Sequence, residues 1–232
     1  MGKTIAITQS NYIPWKGYFD MISRCDVFVL YDTAQYTKRD WRNRNLIKTP
    51  EGLKWLTIPV KVKGQFYQSI RDTKVSDKSW AAKHWKTIEY CYKKTPYFDL
   101  YSSVVRDIYL SCDLEYLSDI NLLFLKEICA ILNIDTEFRF SKDFEIRGGR
   151  TGKLVNLCND LEASKYITGP AAKGYIEEEA FSENGIELEW MNYSNYREYP
   201  QMYGQFEHAV SIIDLIFNTG PDSLKYLRRE IE

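Results

Sequence analysis

Lys3-Thr4-Ile5-Ala6-Ile7-Thr8, then Gln9-Ser10-Asn11-Tyr12-Ile13-Pro14-Trp15-Lys16-Gly17, then Cys25-Asp26-Val27-Phe28-Val29-Leu30-Tyr31-Asp32: these three stretches decide the fold. The first is short and β-branched, the mark of a strand. The second is polar, with Pro and Gly, and breaks it. Residues 17–24 read as a helix, with Phe19 and Ile22 three apart. The third is apolar nearly throughout until its terminal Asp, as in a strand buried on both faces of a parallel sheet. Strand, loop, helix and strand over about 30 residues is the period of a βαβ unit.

Working outward, residues 34–49 are polar and basic, and a turn at Pro50-Glu51-Gly52 precedes a strand over Leu53 to Val62. Pro59 argues for an edge or a strand end there. Residues 68–75 suggest a further short strand. From Ser79 the period becomes helical: Trp80, His84, Ile88 and Cys91, then Leu100, Val104 and Ile108, then Leu117, Ile120, Phe124 and Ile128. Strand candidates follow at Ile134–Phe140, Tyr166–Thr168 and Ile186–Trp190. Helices are expected at Lys153–Glu162, with Thr151 as cap, at Ala172–Phe181 and at Ser211–Phe217, where Gly220-Pro221 is a stop signal. The expectation is an α/β fold, Rossmann-like or nucleotidyltransferase-like, with a mostly parallel sheet. The chain reads as a single domain over 1–232, with 79–132 a mainly helical insertion.

Composition narrows the function classes. A chain of 232 residues buries enough surface to fold without staples. The formal net charge is -1, which argues against a protein that coats nucleic acid. No apolar run reaches the ~18 residues of a membrane span. The N-terminal apolar run is too short for a signal peptide, so a cytoplasmic location is expected. The five cysteines are widely spaced with no CxxC pair, and only two histidines exist. Reduced core cysteines are the default, and no metal site is assigned. The 18 Tyr, 11 Phe and 6 Trp are a high count, which fits an aromatic-lined pocket as well as an aromatic core.

The loop after the first strand is the best site candidate, because ligands of open parallel sheets sit beyond the carboxyl ends of the strands. Gln9, Ser10 and Asn11 offer hydrogen bonds, and Tyr12 and Trp15 offer stacking faces. The loop has neither GxGxxG nor GxxxxGK[ST], so it is neither a dinucleotide fingerprint nor a Walker loop. Asp32 ends the second strand on the same face, placed either to bind a hydroxyl or metal or to cap a turn. Lys38, Arg39, Arg42, Arg44 and Lys48 form the densest cationic cluster, joined by Asn43 and Asn45. Arginine forks suit phosphate or carboxylate, although a solvated basic face has the same composition. Gly148-Gly149-Arg150-Thr151-Gly152-Lys153 and the run from Tyr166 to Lys173, with Thr168, are further anion-binding candidates. His84, on an apolar helix face, reads as a satisfied histidine; His208 is a candidate acid–base group. Asp214, within an apolar face, requires an Arg or backbone partner.

The run from Gln9 to Phe19, the segments Asp40-Trp41-Arg42-Asn43-Arg44 and Trp55-Leu56-Thr57-Ile58-Pro59-Val60, the run from Tyr166 to Lys173 and the run from Phe206 to Asn218 together resemble the WbqC-like family. Ser10-Asn11 departs from the Gln-Pro frequent there. The resemblance implies a bacterial protein of surface-glycan or O-antigen gene clusters. It points to an enzyme modifying a nucleotide-linked amino sugar, by acyl or aminoacyl transfer to the amine. In that reading Arg42 and Arg44 bind phosphate or carboxylate, Tyr12 and Trp15 stack on sugar or base, and His208 or Asp32 accepts the amine proton. Gln9, Asn11, Asn43, Thr168 and Lys173 complete the substrate-binding set, with an acyl or aminoacyl donor, or ATP with Mg²⁺, as co-substrate. The stretch from Tyr12 to Tyr18 also resembles the nucleotide-binding turn of adenylating ligases such as pantothenate synthetase, with Trp15 and Tyr18 where that turn carries histidines. An ATP-dependent ligase or nucleotidyltransferase with Asp32 holding Mg²⁺, and a non-catalytic binding protein of glycan assembly, are the alternatives.

Overall fold

The computed structural model describes residues 2–227. Strand β1 (Lys3–Thr8) lies at the centre of a five-stranded sheet, with β2 (Val27–Leu30) on one side and β6 (Ala163–Thr168) on the other. Beyond β2 lies β5 (Glu137–Phe140), and beyond β6 lies β7 (Glu187–Trp190). All four pairings are parallel. The order β5-β2-β1-β6-β7 is therefore a Rossmann-like, doubly wound α/β arrangement that reverses direction between β1 and β6.

The alternation along each strand sends side chains to two separate cores. Ala6, Phe28 and Leu30 face a large cluster with helix α1 (Lys16–Ser23), while Ile5, Ile7, Val27 and Val29 face a smaller one. Helix α5 (Arg150–Asp160) and the short α6 (Glu178–Ser182) cover that smaller face. Gly17 in α1 answers to close packing: a Cβ there would lie 2.3 Å from the Trp15 indole.

The long crossover from β2 to β5 holds everything added to this frame. It carries a hairpin of β3 (Arg44–Thr49) and β4 (Gly52–Thr57), then helices α2 (Trp80–Tyr92), α3 (Phe98–Ser111) and α4 (Leu117–Ile131). The three central helices thus stand where the 3.6-residue period puts them. Strand β3 is an addition, since the polar and basic run at 34–49 suggests no strand in sequence. Its polar residues Asn45 and Lys48 are buried, and the Lys48 ammonium donates to the Gln205 carbonyl at 2.6 Å and to Gln201 Oε1 at 3.1 Å. Tertiary partners, not pattern, make this strand.

Smaller corrections follow the same logic. The expected strand at 68–75 contributes isolated bridges only. Thr151 does not cap α5, since Gly149 occupies that position and the Thr151 hydroxyl joins the Tyr175 carbonyl and the Glu177 amide. The helix expected over Ala172–Phe181 is a 3₁₀ turn at Pro170–Gly174 followed by α6. Gly220-Pro221 ends α7 (Ile212–Thr219), but a short helix α8 (Ser223–Leu227) resumes after it. Asp214 has neither an Arg nor a backbone donor. Its carboxylate accepts from the Tyr92 and Tyr199 hydroxyls, each at 2.9 Å, and from Gln201 Nε2 at 2.8 Å. Burial pushes its carboxyl up, and those donors oppose the shift.

The helical block meets the first loop through Tyr12. This side chain is fully buried, and its hydroxyl lies 2.9 Å from His84 Nδ1 and 2.7 Å from the Tyr109 hydroxyl. His84 is therefore the satisfied core histidine the periodicity suggests. Burial lowers its pKa from 6.5 to about 4. Between those values the unfolded chain binds the proton and the folded chain does not, so folding stability falls as pH drops from about 6.5 toward 4. The loss is on the order of 2–3 kcal/mol. Unfolding free energies measured at pH 7 and 4.5 should show this fall in the wild type and a much smaller one in His84→Gln.

Candidate functional site

A cleft of about 660 Å³ opens at the carboxyl ends of β1 and β6, where the strand order reverses. That crevice is the place where doubly wound sheets take ligands. Gln9 and Asn11 enter it from the end of β1, and Thr168, Gly169 and Pro170 from the end of β6. Arg150 and Lys153, on the first turn of α5, supply two cations, and Arg42 supplies a third. Aromatic side chains complete the walls: Trp15, Tyr18, Tyr31, Tyr166, Tyr175 and Tyr193. No carboxylate and no histidine is among the described lining side chains. A cleft with three cations, a helix N-terminus and no acid favours an anion with a planar or ring-shaped body.

The loop that forms one wall is held from behind. Asp32 is buried; its carboxylate accepts from the Ser10 amide at 2.8 Å and from the Ser118 hydroxyl. Burial raises its pKa, and these bonds and Arg42 pull the other way. Asn121 of α4 donates to Ser10 Oγ at 2.8 Å and to the Arg42 carbonyl at 2.9 Å. Asn45 Nδ2 donates to the Tyr12 and Ile13 carbonyls at 3.1 and 3.0 Å. Ile13 sits at φ 37°, a conformation that a β-branched residue rarely adopts. The Tyr12 amide donates to the Trp41 carbonyl at 3.0 Å, and the Ile212 amide at the start of α7 donates to the Pro14 carbonyl at 2.9 Å. The Arg42 guanidinium donates to Asn11 Oδ1 and reaches the Gln9 and Ser10 carbonyls at 3.3 Å. It therefore braces the loop as well as facing the cleft.

The structure brings together Gln9, Asn11, Trp15, Arg42 and Thr168. It places the other expected residues elsewhere. Tyr12 points into the helical core and offers no stacking face. Asp32 lies beneath the loop, with its oxygens already engaged, and does not reach the cleft as a base or Mg²⁺ ligand. Asn43 is buried and donates to the Ile58 carbonyl at 2.8 Å. Arg44 lies on the hairpin, 4.0 Å over the Trp55 ring, and donates to the Arg39 carbonyl. Lys173 lies 5.5 Å over Trp190 and is not among the side chains lining this cleft. His208 packs against Phe206, with ring centroids 4.6 Å apart. Its pKa is pushed down by burial and by the Lys16 ammonium, and it too stands outside the cleft. Lys16 is itself lowered to about 8 by burial, among the rings of Tyr196, Tyr199 and Phe206.

Arg150 and Lys153 were legible in the glycine-bearing run at 148–153, but only the α5 geometry aims them at the cleft. Tyr31, Tyr175 and Tyr193 carried no distinguishing signal. Among the described residues, no cluster of three or more metal-ligating side chains forms. No helix among them is long and apolar enough to cross a membrane.

With this geometry in place, comparison with known proteins assigns the family. The family model for the WbqC-like protein family matches residues 9–226. The chain belongs to the WbqC-like family. Among curated proteins it is similar to the uncharacterized protein Rv1507c of Mycobacterium tuberculosis, at 47% identity over 230 residues, covering 98% of this chain and 100% of that one. No solved structure gives a significant match. Membership in the WbqC-like family supports a role in glycan-related enzymology.

The Asn45 clamp is the most exposed point of this construction to test. Asn45→Ala leaves two carbonyls without their donor and releases the strained Ile13 turn. A loss of roughly 2–4 kcal/mol in urea denaturation is expected. A change within ~0.5 kcal/mol, the ordinary range for an inconsequential position, would show that the turn does not depend on it.

Proposed function

We propose that the cleft between β1 and β6 binds a nucleotide-linked amino sugar and that the protein modifies it by acyl or aminoacyl transfer to the sugar amine. The observation that carries this reading is the convergence of Arg42, Arg150 and Lys153 on an aromatic-walled crevice at the reversal point of the sheet. The three cations and the first turn of α5 take the diphosphate. Trp15 stacks on the sugar or base, and Gln9, Asn11 and Thr168 orient the sugar. The amine nitrogen attacks the acyl carbon of the donor. The C–N bond forms, the bond to the departing thiolate or alkoxide breaks, and that leaving group takes the amine proton. This route needs no side-chain base, which suits a lining without histidine or carboxylate. The same lining supports a second reading, a non-catalytic carrier of the same ligand.

The test uses the full chain with uridine and thymidine diphosphates, their amino-sugar conjugates and acyl thioesters. Diphosphate binding by calorimetry should weaken at least tenfold in the Arg150→Ala, Lys153→Ala double variant, while the circular dichroism spectrum is unchanged. Mass spectrometry of the sugar conjugate should show an acylated product. Binding without any mass shift favours the carrier. No binding, with the double variant equal to wild type, sinks the proposal.

A further inference from the structure

A second, smaller cavity of about 210 Å³ lies beside the main cleft and shares two residues with it, Asn11 and Trp15. Pro14, Trp41, Asn45 and Ala209 complete its lining. It differs from the cleft in chemistry, since no lining side chain is charged. Its polar groups are largely engaged already. Asn45 donates to the Tyr12 and Ile13 carbonyls and accepts from the Leu46 amide at 2.8 Å. The Asn11 carbonyl oxygen is taken by Arg42. A sugar ring would bring hydroxyls that find few partners there, and burying them unpaired is costly. An aliphatic group meets no such penalty against two indoles, a proline ring and a methyl.

We infer that this cavity is the subsite for the acyl chain of the donor, a short aliphatic thioester. The inference rests on the proposed transfer in the main cleft and adds to it the donor class and its place. The volume, about 210 Å³ against about 660 Å³ for the main cleft, suits a short chain. The shared wall puts the acyl carbonyl at the junction of the two spaces, beside the Asn11 amide. There its NH₂ donates to the oxygen that gains negative charge as the amine attacks, and the thiol departs with the amine proton. The position of the wall is not adjustable: Trp15 precedes α1 and its ring meets Tyr193 and Tyr196 edge-on at 5.2 and 5.8 Å. Trp41 forms the outer side, braced by Trp55 at 5.3 Å.

The probes are acyl thioesters of N-acetylcysteamine with two to ten chain carbons, a carrier without phosphate and so without affinity for the cations of the cleft. Binding to the full chain, read by tryptophan fluorescence, should tighten about fourfold per added methylene and stop tightening before the longest member of the series. Ala209→Leu, at an exposed position that lines only the small cavity, should abolish the chain-length dependence and leave diphosphate binding unchanged. Trp41→Ala should move the limit to longer chains. Affinity that ignores chain length, or an Ala209→Leu protein that binds hexanoyl thioester as the wild type does, overturns the assignment. Diphosphate binding lost with thioester binding intact would instead fault the main cleft and leave the acyl subsite standing. Diphosphate binding intact with no thioester binding does the reverse.

Discussion

The structure depends on satisfying the backbone of one bend. Between Gln9 and Pro14 the chain leaves the central strand, passes through a strained Ile13 and enters α1, largely out of reach of water. Each amide and carbonyl on that path needs a partner, because an orphaned buried group costs as much as a lost hydrogen bond or more. Apart from the Tyr18 hydroxyl, which donates to the Gln9 carbonyl at 2.9 Å, the partners come from far along the chain. Asp32 comes from the next strand, Asn121 from the helical insertion, Asn45 and Arg42 from the hairpin and its approach, and the Ile212 amide from the last long helix. Segments far apart in sequence are thus parts of one spatial object, a mould around a single turn.

This explains why so polar a set of residues turns out to be buried. Asp32, Asn43, Asn45, Lys48, Asn121 and Asp214 are each nearly inaccessible. They look like site residues in a sequence because they are polar amid apolar neighbours. In space all but Asp214 hold backbone groups, Asp214 takes the Tyr92, Tyr199 and Gln201 side chains, and the groups left facing the cleft include three cations and six aromatic rings. The cleft surface is a thin layer, and the thicker layer behind it keeps that surface in shape.

The frame of the fold was readable because burial on two faces leaves an unbroken apolar run, as in Val27–Leu30, and because three amphipathic helices repeat faithfully from Trp80 onward. Topology alone pointed to the loop after β1 as the candidate site, and Gln9, Asn11, Trp15, Arg42 and Thr168 line one cleft there. Where reading failed, the cause was distance along the chain. Tyr12 differs from Trp15 only in which way a bend turns it, and the bend is set by Asn45. Strand β3 hides because two of its buried positions are filled by Asn45 and Lys48, whose partners lie in other segments, Lys48's about 150 residues away. His208 and Asp32 have the right chemistry for a proton acceptor and the wrong neighbours. No pattern of spacing carries that information.

Gly17 gives the partition between the two cavities a peculiar origin. The indole of Trp15 lies where a side chain on the neighbouring helix turn would otherwise stand, with ring carbons 2.3 to 2.8 Å from the place of the missing Cβ. The Trp15 ring lines both cavities, and an absent methyl leaves it room. A side chain at position 17 would have to displace that ring, so the shared wall stands where it does because of an atom the protein does without.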